Sequence, residues 1–115
     1  MDWKTAEAEG WVALKYEYEE DDIYDDSYID TWGLSPEETA AARKELWEEI
    51  GQKGVWGIVG YVQGRPVDSV WGIIGRDEVY EESVKQQTLA ALDALFTEMA
   101  AEMSQRATYA WVLQG

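Results

Sequence analysis

Val55-Trp56-Gly57-Ile58-Val59-Gly60 and Val70-Trp71-Gly72-Ile73-Ile74-Gly75 are near-copies, fifteen residues apart, in the middle of a 115-residue chain. Gln63-Gly64-Arg65-Pro66, between them, has turn chemistry. The stretch 55–75 therefore reads as one β-hairpin, with the rest of the chain packed around it. A register with Val62 opposite Val67 puts Ile58 across from Trp71 and Trp56 across from Ile73 on one face. On the other face it pairs Val59 with Val70, Val55 with Ile74 and Gly57 with Gly72. Both faces are then apolar, which a half-exposed sheet would not need. Either helices cover both, or a second chain covers one. The paired glycines leave a gap for a close backbone or a ring, most simply a neighbouring tryptophan.

The flanks supply the covering elements. Trp11 to about Glu19 alternates Val12, Leu14, Tyr16 and Tyr18 with Ala13, Lys15, Glu17 and Glu19, and reads as a strand near a sheet edge. Ser35-Pro36-Glu37-Glu38 carries an N-cap, a proline at the first helical position and a capping box. The helix it opens has a stripe of Thr39, Ala42, Leu46, Trp47 and Ile50, and ends at Gly51 or Gly54. A second helix, 77–104, starts at Asp77 and carries Val84, Thr88, Ala91, Leu92, Leu95, Met99 and Met103 on one stripe. At ~1.5 Å per residue it spans roughly 40 Å, longer than the hairpin, so it must bend or overhang. An apolar overhang would point to self-association. The tail from Thr108 to Leu113 has strand-like composition and is expected either to add a last strand or to cap the core. Residues 1–10 form a helical turn or an ordered arm, ended by Gly10. The expected architecture is a single α+β domain over 1–115. Its mainly antiparallel sheet has three or four strands in the order β-α-β-β-α, with or without a last β, and the hairpin is central.

Charge is the strongest global feature. Nine basic residues face twenty-four acidic ones, a net charge of −15, in a chain that also holds seven Trp and seven Tyr. This is not the composition of a disordered acidic tail. Eight of the fourteen positions in 17–30 are carboxylates: Glu17, Glu19, Glu20, Asp21, Asp22, Asp25, Asp26 and Asp30. Tyr18, Ile23, Tyr24, Tyr28 and Ile29 are interleaved, as expected of a run pinned to the body by its rings.

Several chemistries are excluded. There is no His and no Cys, so triad, thiolate and imidazole-ligand sites have no residues to use. A calcium loop begun at Asp21 would place Asp26 at the glycine position and Trp32 at the bidentate glutamate position, and fails. No phosphate-cradling motif occurs, and the net charge would repel a duplex. The expectation is therefore no enzyme, no metal and no cofactor. A soluble chain in the cytoplasm is expected, since there is no cysteine and no stretch matches a membrane span or a signal peptide.

The same charge physics can run in reverse. Carboxylates fixed along an extended strand, alternate residues ~6.8 Å apart, can occupy a protein groove built for phosphates. Ser69-Val70-Trp71-Gly72-Ile73, then Tyr80 and an Ala/Leu-rich helix, follow the Tyr-rich acidic run and Ser27-Tyr28-Ile29. These features, about half the chain, resemble small acidic proteins of bacteriophages and plasmids of high-GC bacteria. In composition the chain is also similar to phage anti-restriction and anti-CRISPR proteins that mimic DNA. That resemblance implies an inhibitor of a host nucleic-acid-binding defence protein, and it carries over no functional residue. The leading expectation is such an inhibitor, docking its 17–30 carboxylates on a basic partner. The alternative is a structural or adaptor module that binds through Trp56, Ile58, Trp71 and Ile73 on an uncovered sheet face, the face that would also build a homodimer.

Overall fold

The computed structural model describes residues 1–19 and 24–114, and the side chains of 109, 110, 113 and 114 are left aside. In chain order the elements are α1 (Trp3–Ala8), β1 (Val12–Glu19), a 3-10 helix (Ser27–Trp32), α2 (Pro36–Lys53), β2 (Val55–Val62), β3 (Arg65–Ile74) and α3 (Glu78–Gln114). The fold is α+β, with one three-stranded antiparallel sheet in the order β1-β2-β3. Thus β2 is central and both β1 and β3 are edges. One departure from the expected order stands at the start, where a helix precedes β1; the optional last strand is absent among the described residues.

The N-terminal helix is closed locally. The Asp2 carboxylate accepts from the Thr5 amide at 2.8 Å, Gly10 adopts φ +82°, and Ala6 is buried. α2 starts as its sequence demands. The Glu38 amide donates to Ser35 Oγ at 3.2 Å, and the Ser35 amide donates back to Glu38 Oε1 at 3.3 Å. Gly54, at φ +75°, ends it, and Ile50 from the expected stripe is fully buried.

The hairpin register is right only at its base. Val55 pairs with Ile74 and Trp56 with Ile73, but Ile58 then pairs with Val70 and Val62 with Arg65. Two bulges cause the drift. Trp71 and Gly72 together oppose Gly57, with Gly72 at φ +77°, and Val67 is the extra residue between the Gly60–Asp68 and Tyr61–Pro66 pairs. The turn is the two-residue Gln63-Gly64, both with positive φ, which matches the twist of a tight hairpin. The proposed Val62–Val67, Ile58–Trp71, Val59–Val70 and Gly57–Gly72 pairs therefore do not form.

The first bulge decides where Trp71 goes. A one-residue slip turns a side chain to the opposite face. The Trp71 ring lies over Gly57, so close that a Cβ built on Gly57 would stand 2.2 Å from it. The sheet thus covers the Gly57 position of its second face with its own indole. Gly57→Ala is expected to displace that ring. Trp71 emission should shift to the red in a chain whose other tryptophans are replaced by phenylalanine, with little change in far-UV circular dichroism.

The first face is covered by helices. Ala6 of α1 and Leu92 of α3 form one buried cluster with Val12 and Val62, and Trp3, Trp11, Leu89 and Phe96 pack on it. Ile58, Ile73 and Val84 form a second cluster, bordered by Leu14, Tyr16 and Val70. Gly60 lets α3 approach the centre of the sheet, where Thr88 and Val84 sit directly above it.

α3 runs 37 residues and continues through the tail expected to add a strand or to cap the core. Residues 78–114 contain no Gly or Pro to stop it. Extending an existing helix adds one hydrogen bond per residue without a new nucleation cost. A tail strand would need an open edge, and β3 is interrupted by Pro66 and two bulges. The helix overshoots the body, giving a molecule of 82 × 27 × 22 Å. Its radius of gyration is 21.9 Å, against ~13 Å for a compact chain of about this length. Among the described residues no helix is long and apolar enough to cross a membrane.

Candidate functional site

The described carboxylates of the 17–30 run are held, each by a defined donor. On the sheet face opposite α3, Glu17 accepts a hydrogen bond from the Tyr61 hydroxyl, and Lys15 lies over the Tyr61 ring, 5.1 Å from its centre. The Glu17 carboxylate, together with burial, raises the tyrosine's pKa. Two residues on, Glu19 Oε2 accepts from the Gly72 amide at 3.0 Å. The bulge that turns Trp71 therefore also supplies the donor that fixes Glu19.

Beyond β1, Asp25 accepts from the Ser27 amide at 3.0 Å, closing the turn into the 3-10 helix. Asp26 is the main tether. It accepts from Trp47 Nε1 at 2.8 Å and from Arg43 Nε at 2.9 Å, both on α2. The Trp47 indole first, and the Arg43 guanidinium second, hold its carboxyl below the usual range despite partial burial. Arg43 also donates to Asp30 at 3.0 Å, so one cation bridges two anions of the segment.

Rings complete the attachment. Tyr24 stands edge-on to Trp47 at 6.1 Å and to Tyr28 at 6.3 Å, Tyr28 leans on Trp32, and Ile29 is fully buried. Burial first, then the Tyr28 hydroxyl, pushes the Tyr24 phenol well above its ordinary value. Aromatic pinning of the run therefore holds for residues 24–32. Glu20, Asp21 and Asp22, expected to share the partner-binding role, lie outside the described residues.

The proposed tryptophan face does not form as a unit. Ile58 and Ile73 are buried under α3. Trp56 is half-buried, donates from Nε1 to the Lys53 carbonyl at 2.8 Å, and meets Tyr18 edge-on at 5.4 Å. Only Trp71 is open, 47 % exposed, and on the opposite face. The physical reason is the bulge, which separates Trp71 from the three residues it was grouped with. The consequence is a different grouping: Trp71 shares its face with Glu17 and Glu19.

No protein-family model, curated protein or solved structure matches the chain. Among the described residues no group of acidic side chains is arranged to hold a metal ion. One hollow of about 650 Å³ is lined by Arg76, Glu78, Glu81, Glu82 and Lys85. Its Glu81 is already engaged, accepting from the Tyr16 hydroxyl at 2.7 Å with Lys85 Nζ at 3.9 Å.

Three participants were not singled out from sequence. Tyr61 looked like an ordinary strand residue. Gly72 looked like half of a glycine pair. Arg43 had a legible signal: the one guanidinium of its helix, beside Ala42 of the apolar stripe.

Proposed function

We propose that this protein acts without catalysis, as an acidic inhibitor that occupies the basic groove of a nucleic-acid-binding defence protein. The observation carrying this reading is that Glu17, Glu19, Asp25, Asp26 and Asp30 are each hydrogen-bonded to a fixed donor. A mimic of a polyphosphate needs anions in set positions, because a mobile carboxylate must be ordered at the moment of binding. Little of the charge is cancelled internally. Among the described residues six carboxylates pair with a cation, against twenty-four in the chain. Such a surface steers a cationic partner at long range and loses that advantage in salt.

The test is capture from a bacterial lysate at about 50 mM and about 500 mM salt, where the Debye length falls from ~14 to ~4 Å. The captured protein is expected to bind nucleic acid, to elute in the high-salt wash, and to be displaced by duplex DNA. Changing Asp21, Asp22, Asp25 and Asp26 to Asn keeps the acceptors while removing four charges. It should weaken binding at least tenfold. Salt-resistant capture of a protein that ignores nucleic acid would overturn the reading.

One observation favours a second reading, an adaptor that binds through apolar contact: Trp71 is exposed on an edge strand. Capture unchanged by salt and abolished by Trp71→Ala would select it.

A further inference from the structure

Among the described side chains, those beyond Phe96 on α3 are exposed and have no counterpart in the body to pack against. Phe96 is the last anchored ring among them, edge-on to Trp11 at 4.9 Å. From there the apolar positions Met99, Ala100, Met103, Ala107 and Trp111 recur at i+3, i+4, i+7, i+11 and i+15, which is one stripe of a helix. The stripe prolongs the one that packs on the sheet. Met103 is 67 % and Trp111 74 % exposed. Residues 97–114 amount to about 27 Å of helix, and a helix of that size with no tertiary packing is marginal in water.

Charge says what covers it. Every one of the twenty-four carboxylates lies at or before Glu102, and residues 103–115 hold none, with Arg106 as their only charged side chain. Beyond its Glu98 and Glu102 the overhang is free of acid, and that end is not suited to a basic partner. It is suited to a second copy of this chain, provided the two acidic bodies stay apart. Parallel pairing would bring both bodies to one end. Antiparallel pairing centred near Met103 puts them at opposite ends, with residue 96 of the two copies about 22 Å apart along the axis, more than twice the Debye length at physiological salt. In that register Trp111 of one copy comes level with Phe96 of the other, and Ala100 with Ala107. The alanines allow close approach, while the Met and Trp side chains supply area. With Trp111, Met99 and Met103 contributed by each copy, the total buried is on the order of 1,000 Å², the lower bound for a specific interface.

We infer that the protein self-associates through this overhang as an antiparallel dimer, whatever the body binds. Light scattering on the full chain, from about 1 µM to about 1 mM, should show the mass rise from one chain to two. Met103→Glu should abolish that rise and leave near-UV circular dichroism of the body unchanged. Because the chain has no cysteine, single cysteines report the geometry. A mixture of Ala100→Cys and Ala107→Cys chains should cross-link on mild oxidation, whereas either variant alone should not. One chain mass at every concentration overturns the dimer. Cross-linking of each variant with itself and not in the mixed pair overturns the antiparallel arrangement.

Discussion

Gly60→Ala is expected to lower the melting temperature by about 10 °C. Gly60 sits in the middle of the central strand, on the face that meets α3. A Cβ placed there would stand 1.9 Å from Thr88 Oγ1 and 3.1 Å from both Thr88 Cβ and Val84 Cγ1. Thr88 has no freedom to retreat. It is fully buried, and its hydroxyl donates to the Val84 carbonyl at 2.7 Å, one turn back on the same helix. Either the hydroxyl leaves its acceptor or α3 rises off the sheet. Overpacking of this kind costs about 1–3 kcal/mol. For a domain near 100 residues, each kcal/mol moves the melting temperature by about 4–8 °C. The mechanism has a second signature. In a Thr88→Ala background the nearest clashing atom is gone, so the same glycine change should cost less than half as much. Thermal melts of the four chains of this cycle check it, and full additivity would rule the close contact out.

Asp26→Ala should free residues 24–32 while leaving the sheet intact. Asp26 Oδ2 is the shared acceptor for Trp47 Nε1 and Arg43 Nε. Its loss leaves Arg43 with Asp30 alone and strands a half-buried indole N–H. Both hydrogen bonds to that carboxylate are charge-assisted, so each is stronger than a neutral one. Local opening of the segment should rise at least tenfold, read as faster chymotryptic cleavage at Tyr24, Tyr28 and Trp32. Acid should act in the same direction. The folded carboxyl titrates below its unfolded value. The tether is therefore fully present above about pH 4 and is lost as pH falls through the folded pKa. Asp25 and Asp2 are shifted the same way by their hydrogen bonds to Ser27 and Thr5. Cleavage that stays slow in Asp26→Ala at neutral pH would show that the rings alone hold the segment. The outcome bears on function, since a released segment no longer presents its anions in fixed positions.

Local signals in the chain identified the elements whose causes are local. Ser35, Pro36 and Glu38 define the start of α2 through bonds spanning three residues. The alternation from Val12 to Glu19 defines β1 and its two faces. The central hairpin follows from two apolar repeats and a glycine turn, and the aromatic pinning of Tyr24, Tyr28 and Ile29 from rings in an acidic run. The errors share one origin. A β-bulge is set by what its residues meet across the sheet, and Gly72 looks the same in sequence whether it continues a ladder or breaks it. So the face that Trp71 occupies, and its company with Glu17 and Glu19, became visible only with the sheet assembled. The tail from Thr108 to Leu113 has the composition of a strand. It is helical because a strand exists only if an edge is available to pair with, whereas a helix already running supplies its own hydrogen bonds. Short-range chemistry could be read residue by residue, but register, sheet face and the end of α3 depended on partners distant in the chain.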